Sequence, residues 1–137
     1  MTKLKLTNYV DLEKAREGLL RDEEVRRVEL EALVDTGAST IFLPEDVFEA
    51  LGLRRIRDTP VFLADGRSIA CAWTSPVEIE LLGRQAVLQA LVGPRGARAL
   101  LGQIPLEQMD LVVEPGTGRV RTNPEHPDGP IMDLLSA

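Results

Sequence analysis

Residues Ala32-Leu33-Val34-Asp35-Thr36-Gly37-Ala38-Ser39 carry the strongest chemical signal of the chain. An apolar run leads straight into an aspartate. Placing an ionisable side chain at the end of a buried strand is costly, so such a residue usually has a task. A carboxylate there can take or give a proton. Thr36 adds a hydroxyl, and Gly37 lets a second backbone or a ligand come close. The plain alternative is an aspartate that caps its own turn, a frequent use of the residue. Phosphoryl-transfer sites also use aspartates followed by Thr and Gly. They have a lysine between Asp and Thr, or a second aspartate nearby, and this stretch has neither.

Other candidate groupings offer less. Glu125-His126-Pro127-Asp128 holds the chain's single histidine in a proline-rich setting, without three rigid ligands, and reads as surface rather than as a metal site. Gly116-Thr117-Gly118 is followed by no helix that could bind phosphate, so it reads as a turn. Cys71 is the only cysteine, which excludes an intramolecular disulfide and a site built on several thiolates. It reads as a small buried hydrophobe. Trp73, the only tryptophan, reads as core or interface.

The elements that must position Asp35 are mostly strands. Leu4 and Leu6 alternate with lysines in a first strand, and Asn8 or Asp11 caps a brief helix with Leu12, Ala15 and Leu19. Val28, Leu30, Ala32 and Val34 share one side of the strand that enters Asp35, and Leu33 suggests burial on both faces near its end. Pro44 opens a helix with Glu45 and Asp46 in its first turn, Gly52 beyond its end, and Val47, Phe48 and Leu51 toward the core. Val61-Phe62-Leu63-Ala64 meets Asp65-Gly66, a two-residue hairpin signal, and Ser68-Ile69-Ala70 leads away. Val77, Ile79 and Leu81, then Ala86, Leu88, Ala90 and Val92, make two further alternating runs. Ala99-Leu100-Leu101-Gly102 is a buried strand ending in glycine, followed by a short helix near Leu106 to Met109. Leu111-Val112-Val113 and Arg119-Val120-Arg121 flank the turn Pro115 to Gly118. Many short strands with Gly-rich turns predict a mainly β fold, closed or sandwiched, in one domain over residues 1–121. A Pro-rich tail, 122–137, follows.

Bulk properties agree with an ordinary globular domain. The chain has 137 residues, 44% hydrophobic and 28% charged, with a net charge of −6. The acidic balance argues against nucleic acid, whose phosphates attract basic surfaces. No apolar run is long enough to span a bilayer, and the polar start is no signal peptide. A cytoplasmic location is the expectation.

Order and spacing then add a resemblance. The Asp35 loop is followed about thirty residues on by the Ala64-Asp65-Gly66 hairpin and about sixty-seven residues on by Leu100-Leu101-Gly102. This resembles the retropepsin-like aspartic proteases, the single-domain retroviral type, and is nearer to their bacterial relatives. It covers roughly Val25 to Arg121. The resemblance implies a closed β-barrel of the retroviral protease type with one or two short helices. It implies an aspartic endopeptidase acting on polypeptides, with no cofactor and no metal. Because the chain has one Asp-Thr-Gly, it also implies a homodimer in which Asp35 of each subunit forms the catalytic dyad. Thr36, Gly37 and Ala38 would complete the active-site loop. Ala64, Asp65, Gly66 and Ile69 would form the flap and bind substrate, and Leu100, Leu101 and Gly102 would lie beneath the loop. Two differences stand out: Gln103-Ile104 occupies the place of a retroviral Arg-Asn or Arg-Asp, and the flap is poorer in glycine. Ala38 replaces a hydroxyl found in many pepsin-like enzymes, which predicts a mildly acidic to near-neutral optimum. The alternative is a peptide-binding or dimerisation module of the same fold without catalysis.

Overall fold

The computed structural model describes residues 1–129; the end of the expected tail, 130–137, lies outside the described residues. Eleven strands and three short α-helices follow one another along the described residues. β1 (Thr2–Asn8) buries Leu4 and Leu6 and turns Lys3 and Lys5 outward, as its alternation predicts. Of the two candidate caps for α1 (Tyr9–Arg16), Asn8 serves: its side chain accepts from the Asp11 amide at 3.1 Å. The helix stops at Arg16, with Gly18 in the left-handed region, so Leu19 stands outside it and is exposed rather than packed. Asp11 has a different role. Its buried carboxylate accepts two hydrogen bonds from the Arg26 guanidinium, at 2.8 and 3.0 Å, and one from the Arg26 amide.

β2 (Arg27–Val34) pairs antiparallel with β1 and leads to Asp35. β3 (Ile41–Pro44) was not legible as a strand, because Ile41-Phe42-Leu43 is a short apolar run without alternation. It feeds directly into α2 (Glu45–Ala50), where Pro44 is the N-cap rather than the first helical residue. Gly52 ends that unit with φ of 62°, and Phe48 and Leu51 are buried as expected. β4 (Arg55–Phe62) and β5 (Ser68–Thr74) form a long hairpin. β6 (Val77–Leu81) and β7 (Arg84–Leu88) form another. β8 (Leu91–Gly93) and β9 (Leu100–Leu101) lie on either side of β3, and α3 (Gln103–Gln108) follows Gly102. β10 (Leu111–Val113) and β11 (Val120–Thr122) make a separate two-stranded sheet across the predicted Pro-Gly turn.

Nine strands join one curled half-barrel sheet in the order β4-β5-β8-β3-β9-β2-β1-β6-β7. The mainly β fold is as expected, with short helices at the three places where the sequence suggested them. The core gathers Leu4, Leu6, Ile41, Leu43, Leu51, Ile79, Leu101 and Met109, all fully buried. Each such side chain contributes about 1.5–3 kcal/mol relative to exposure. The beginning of the tail is tied to this body. Asn123 Nδ2 donates to Asp110 Oδ1 at 3.0 Å, and the His126 ring meets the other Asp110 oxygen. The buried Arg84 donates to the carbonyls of Met109, Asp110 and His126. The Asn123 and His126 hydrogen bonds hold the Asp110 carboxyl below the usual aspartate range.

Candidate active site

Asp35 sits where β2 leaves the sheet, and the centre of the sheet fixes it. β9 runs parallel to β2 with Leu33 beside Leu100 and Val34 beside Leu101. The Asp35 amide donates to the Leu101 carbonyl at 2.9 Å, and the Leu33 amide to that of Ala99 at 2.9 Å. The loop then turns back on itself: the Ala38 amide donates to the Asp35 carbonyl, and the Gly37 amide to Asp35 Oδ1 at 2.9 Å. That second bond is the turn-capping contact open to any strand-end aspartate. It engages one carboxylate oxygen, and the half-buried side chain also lines a large cleft.

Gly102 lies directly beneath this loop. A Cβ there would stand 2.3 Å from the Thr40 carbonyl oxygen and 2.6 Å from that of Ala38, so the close packing admits glycine alone. Just beyond, the first amides of α3 donate back into the loop, Gln103 to the Ala38 carbonyl at 2.9 Å and Ile104 to that of Ser39 at 3.0 Å. Otherwise unpartnered amides at a helix start thus hold the loop from below. Leu101 is fully buried there, while Leu100 reaches the cleft. Thr36 is exposed on the loop.

The β4–β5 hairpin covers the other side of the cleft. Its turn differs from the two-residue Asp-Gly reading. The Leu63 amide pairs with the Arg67 carbonyl, and the Gly66 amide with the Leu63 carbonyl, enclosing a three-residue loop Ala64-Asp65-Gly66. Gly66 takes the left-handed position at φ 87°, as this loop length requires. Asp65 accepts from the Arg67 amide at 3.0 Å and its guanidinium at 2.6 Å. Those bonds hold its carboxyl below the ordinary range. Asp65 and Gly66 form the tip, and neither lines the cleft; Ala64 and Ile69 do.

The cleft measures about 800 Å³ and is mostly apolar. Phe42, Trp73, Pro94 and Arg98 also line it, and sequence reading did not place them there. Trp73 and Ile69 share the face of β5 opposite Arg57 and Val61 of β4, so alternation from Ile69 was the available signal. Arg98 comes from the stretch 93–98 before β9, which in sequence reads as a surface loop with an acidic partner as the alternative. Cys71, between Ile69 and Trp73 on that face, is buried, which pushes its thiol up. Among the described residues, no group of three or more His, Cys, Asp or Glu stands together as a metal site. Nor is any helix among them long and apolar enough to cross a membrane.

Comparison with known proteins adds three findings. The family described as "gag-polyprotein putative aspartyl protease" matches residues 22–116. Among solved structures, EIAV protease complexed with the inhibitor HBY-793 is similar, at 29% identity over 58% of this chain and 75% of that one, with a TM-score of 0.48. No curated protein matches the chain.

Proposed function

The chain belongs to the gag-polyprotein aspartyl protease family, and from that membership we propose that it is an aspartic endopeptidase whose catalytic pair is Asp35 from each of two copies. The observation that carries this reading is the setting of Asp35. Among the described residues it is the one carboxylate lining a mostly apolar, peptide-sized cleft roofed by a hairpin. Chemistry with two carboxylates therefore calls for a second chain. A two-fold axis beside the loop would bring two identical loops face to face, with the exposed Thr36 hydroxyls bonding across it.

Two carboxylates that close share a proton, because both cannot ionise together. The ionised one takes a proton from water as the water oxygen attacks the peptide carbonyl carbon. The protonated one gives its proton to the carbonyl oxygen. Collapse of the tetrahedral intermediate returns a proton to the leaving nitrogen and breaks the C–N bond. The Gly37 amide, already on Oδ1, orients the carboxylate for this work. An extended peptide would lie under the hairpin as an added strand, its side chains against Ala64, Ile69 and Leu100. Hairpin closure would exclude bulk water. The mechanism needs no cofactor.

Cleavage of a diverse peptide mixture over about pH 4 to 8 tests the proposal. The wild-type chain should cut, and Asp35→Asn should lose about a thousandfold or more of that activity. Ala38 offers the pair no hydroxyl, so the rate should peak in the mildly acidic to near-neutral range rather than in strong acid. No cleavage by a folded dimer would favour a peptide-binding module instead.

A further inference from the structure

The cleft is lined by only two charged side chains among the described residues, Asp35 and Arg98. Its walls are otherwise mostly apolar, with Val61, Ile69, Trp73 and Leu100 prominent and Ser39 and Thr59 as uncharged polar residues. Arg98 ends the loop between β8 and β9, which is turned by the Ala97 amide on the Pro94 carbonyl at 3.1 Å. The next residue, Ala99, is buried and accepts from the Leu33 amide. Arg98 is therefore anchored one residue away from the ladder that also fixes Asp35. Three residue steps of extended chain take it to Leu101, whose carbonyl holds the Asp35 amide, so the Arg98 and Leu101 backbone positions are about 10 Å apart. A long arginine side chain in that place can meet a substrate residue one or two positions from the bond held at Asp35.

The pairing of neighbouring arginines sharpens the point. Arg95, in the same loop, is neutralised by Glu49 at 2.6 Å. Arg55 is bound to Glu45 at 3.1 Å and Arg67 to Asp65 at 2.6 Å. Among the described residues no carboxylate forms an ion pair with Arg98. A guanidinium beside apolar walls gains most from a carboxylate that it can bind through two parallel hydrogen bonds. The whole chain is acidic, at −6, so long-range attraction does not favour acidic peptides; the preference must be local to the cleft.

We propose that Arg98 makes the cleft selective for peptide segments that carry a glutamate or aspartate one or two residues from the bond held at Asp35. The inference rests on the peptide-cleft reading above and adds the chemistry of its substrates. The test is binding rather than turnover. Asp35→Asn protein, which should hold peptides without cutting them, is mixed with a random decapeptide library, and the bound fraction is sequenced. Glutamate and aspartate should be enriched about three- to tenfold at one position of the bound set. The enrichment should vanish in Asp35→Asn/Arg98→Gln and persist in part in Asp35→Asn/Arg98→Lys, with unchanged melting temperatures. Equal recovery of acidic and neutral peptides overturns the proposal, as does recovery of no peptide. So does an Arg98→Gln variant that weakens the dimer while keeping the acidic preference, since the arginine would then serve a subunit contact. If wild-type protein cuts nothing while Asp35→Asn still enriches acidic peptides, catalysis fails and the specificity stands.

Discussion

Gly102 shows how much one residue governs the Asp35 loop. The contacts of 2.3 and 2.6 Å that a Cβ would make are with backbone oxygens, which cannot swing aside as a side chain could. Gly102→Ala must therefore push the Asp35 loop off its seat. We expect a loss of about 1–3 kcal/mol in stability and about a hundredfold or more in cleavage rate, since displacement near 1 Å costs that much. A denaturant titration and a peptide assay on the same sample check both. At this scale the sequence was most legible where chemistry and backbone demand coincide. Gly102 is the residue type that its position requires, and Asp35 the type that the proposed chemistry requires. Residues whose importance comes from distant partners were not legible. Asp11 could be read only as a helix cap, because its partner Arg26 is brought to it by the fold. Arg98 and Trp73 look ordinary until the sheet curls and places them in one cleft.

Elements behave likewise. Strands with alternation, such as β1 and β6, and turns with fixed glycines could be read directly. β3 could not, since it is buried between β8 and β9 and has no polar face to reveal its period. The β4–β5 turn was one residue longer than its Asp-Gly suggested, because Gly66 occupies the left-handed closing position of a three-residue loop. Elements also need fastening. The Asp11–Arg26 pair joins the first turn of α1 to the approach of β2, and the guanidinium lies over Gly52 at the end of α2. The Arg26 side-chain bonds hold the Asp11 carboxyl below the usual range despite the opposing effect of burial. A carboxyl lowered on folding stabilises the protein fully above its unfolded pKa of about 3.9. That contribution is lost as pH falls through the lower folded value. Asp11→Asn should therefore cost about 1–3 kcal/mol at neutral pH, discounted because Arg26 is half exposed. It should also flatten the fall in stability below about pH 4. Urea titrations of both proteins between about pH 7 and 2.5 check this; parallel curves would contradict it.

At the scale of the whole molecule, the proposed dyad gives one chain half of a reaction centre. Among the described residues, the half-barrel places a single carboxylate in its cleft, together with one hairpin and one glycine-seated loop. Fold class was legible from the run of short strands and turns. The need for a second copy came from counting Asp-Thr-Gly motifs rather than from any pattern of interface residues. Interface residues are exposed in an isolated chain and so resemble ordinary surface. The central claim is that two chains share one dyad, and subunit mixing tests it most directly. Wild-type protein is allowed to exchange with a ninefold excess of Asp35→Asn, and cleavage is measured per wild-type chain. If each active site takes Asp35 from both subunits, mixed dimers are dead and activity falls to about a tenth. Activity that stays unchanged in fully exchanged mixtures would show that one chain carries a complete site, and the shared dyad would be wrong.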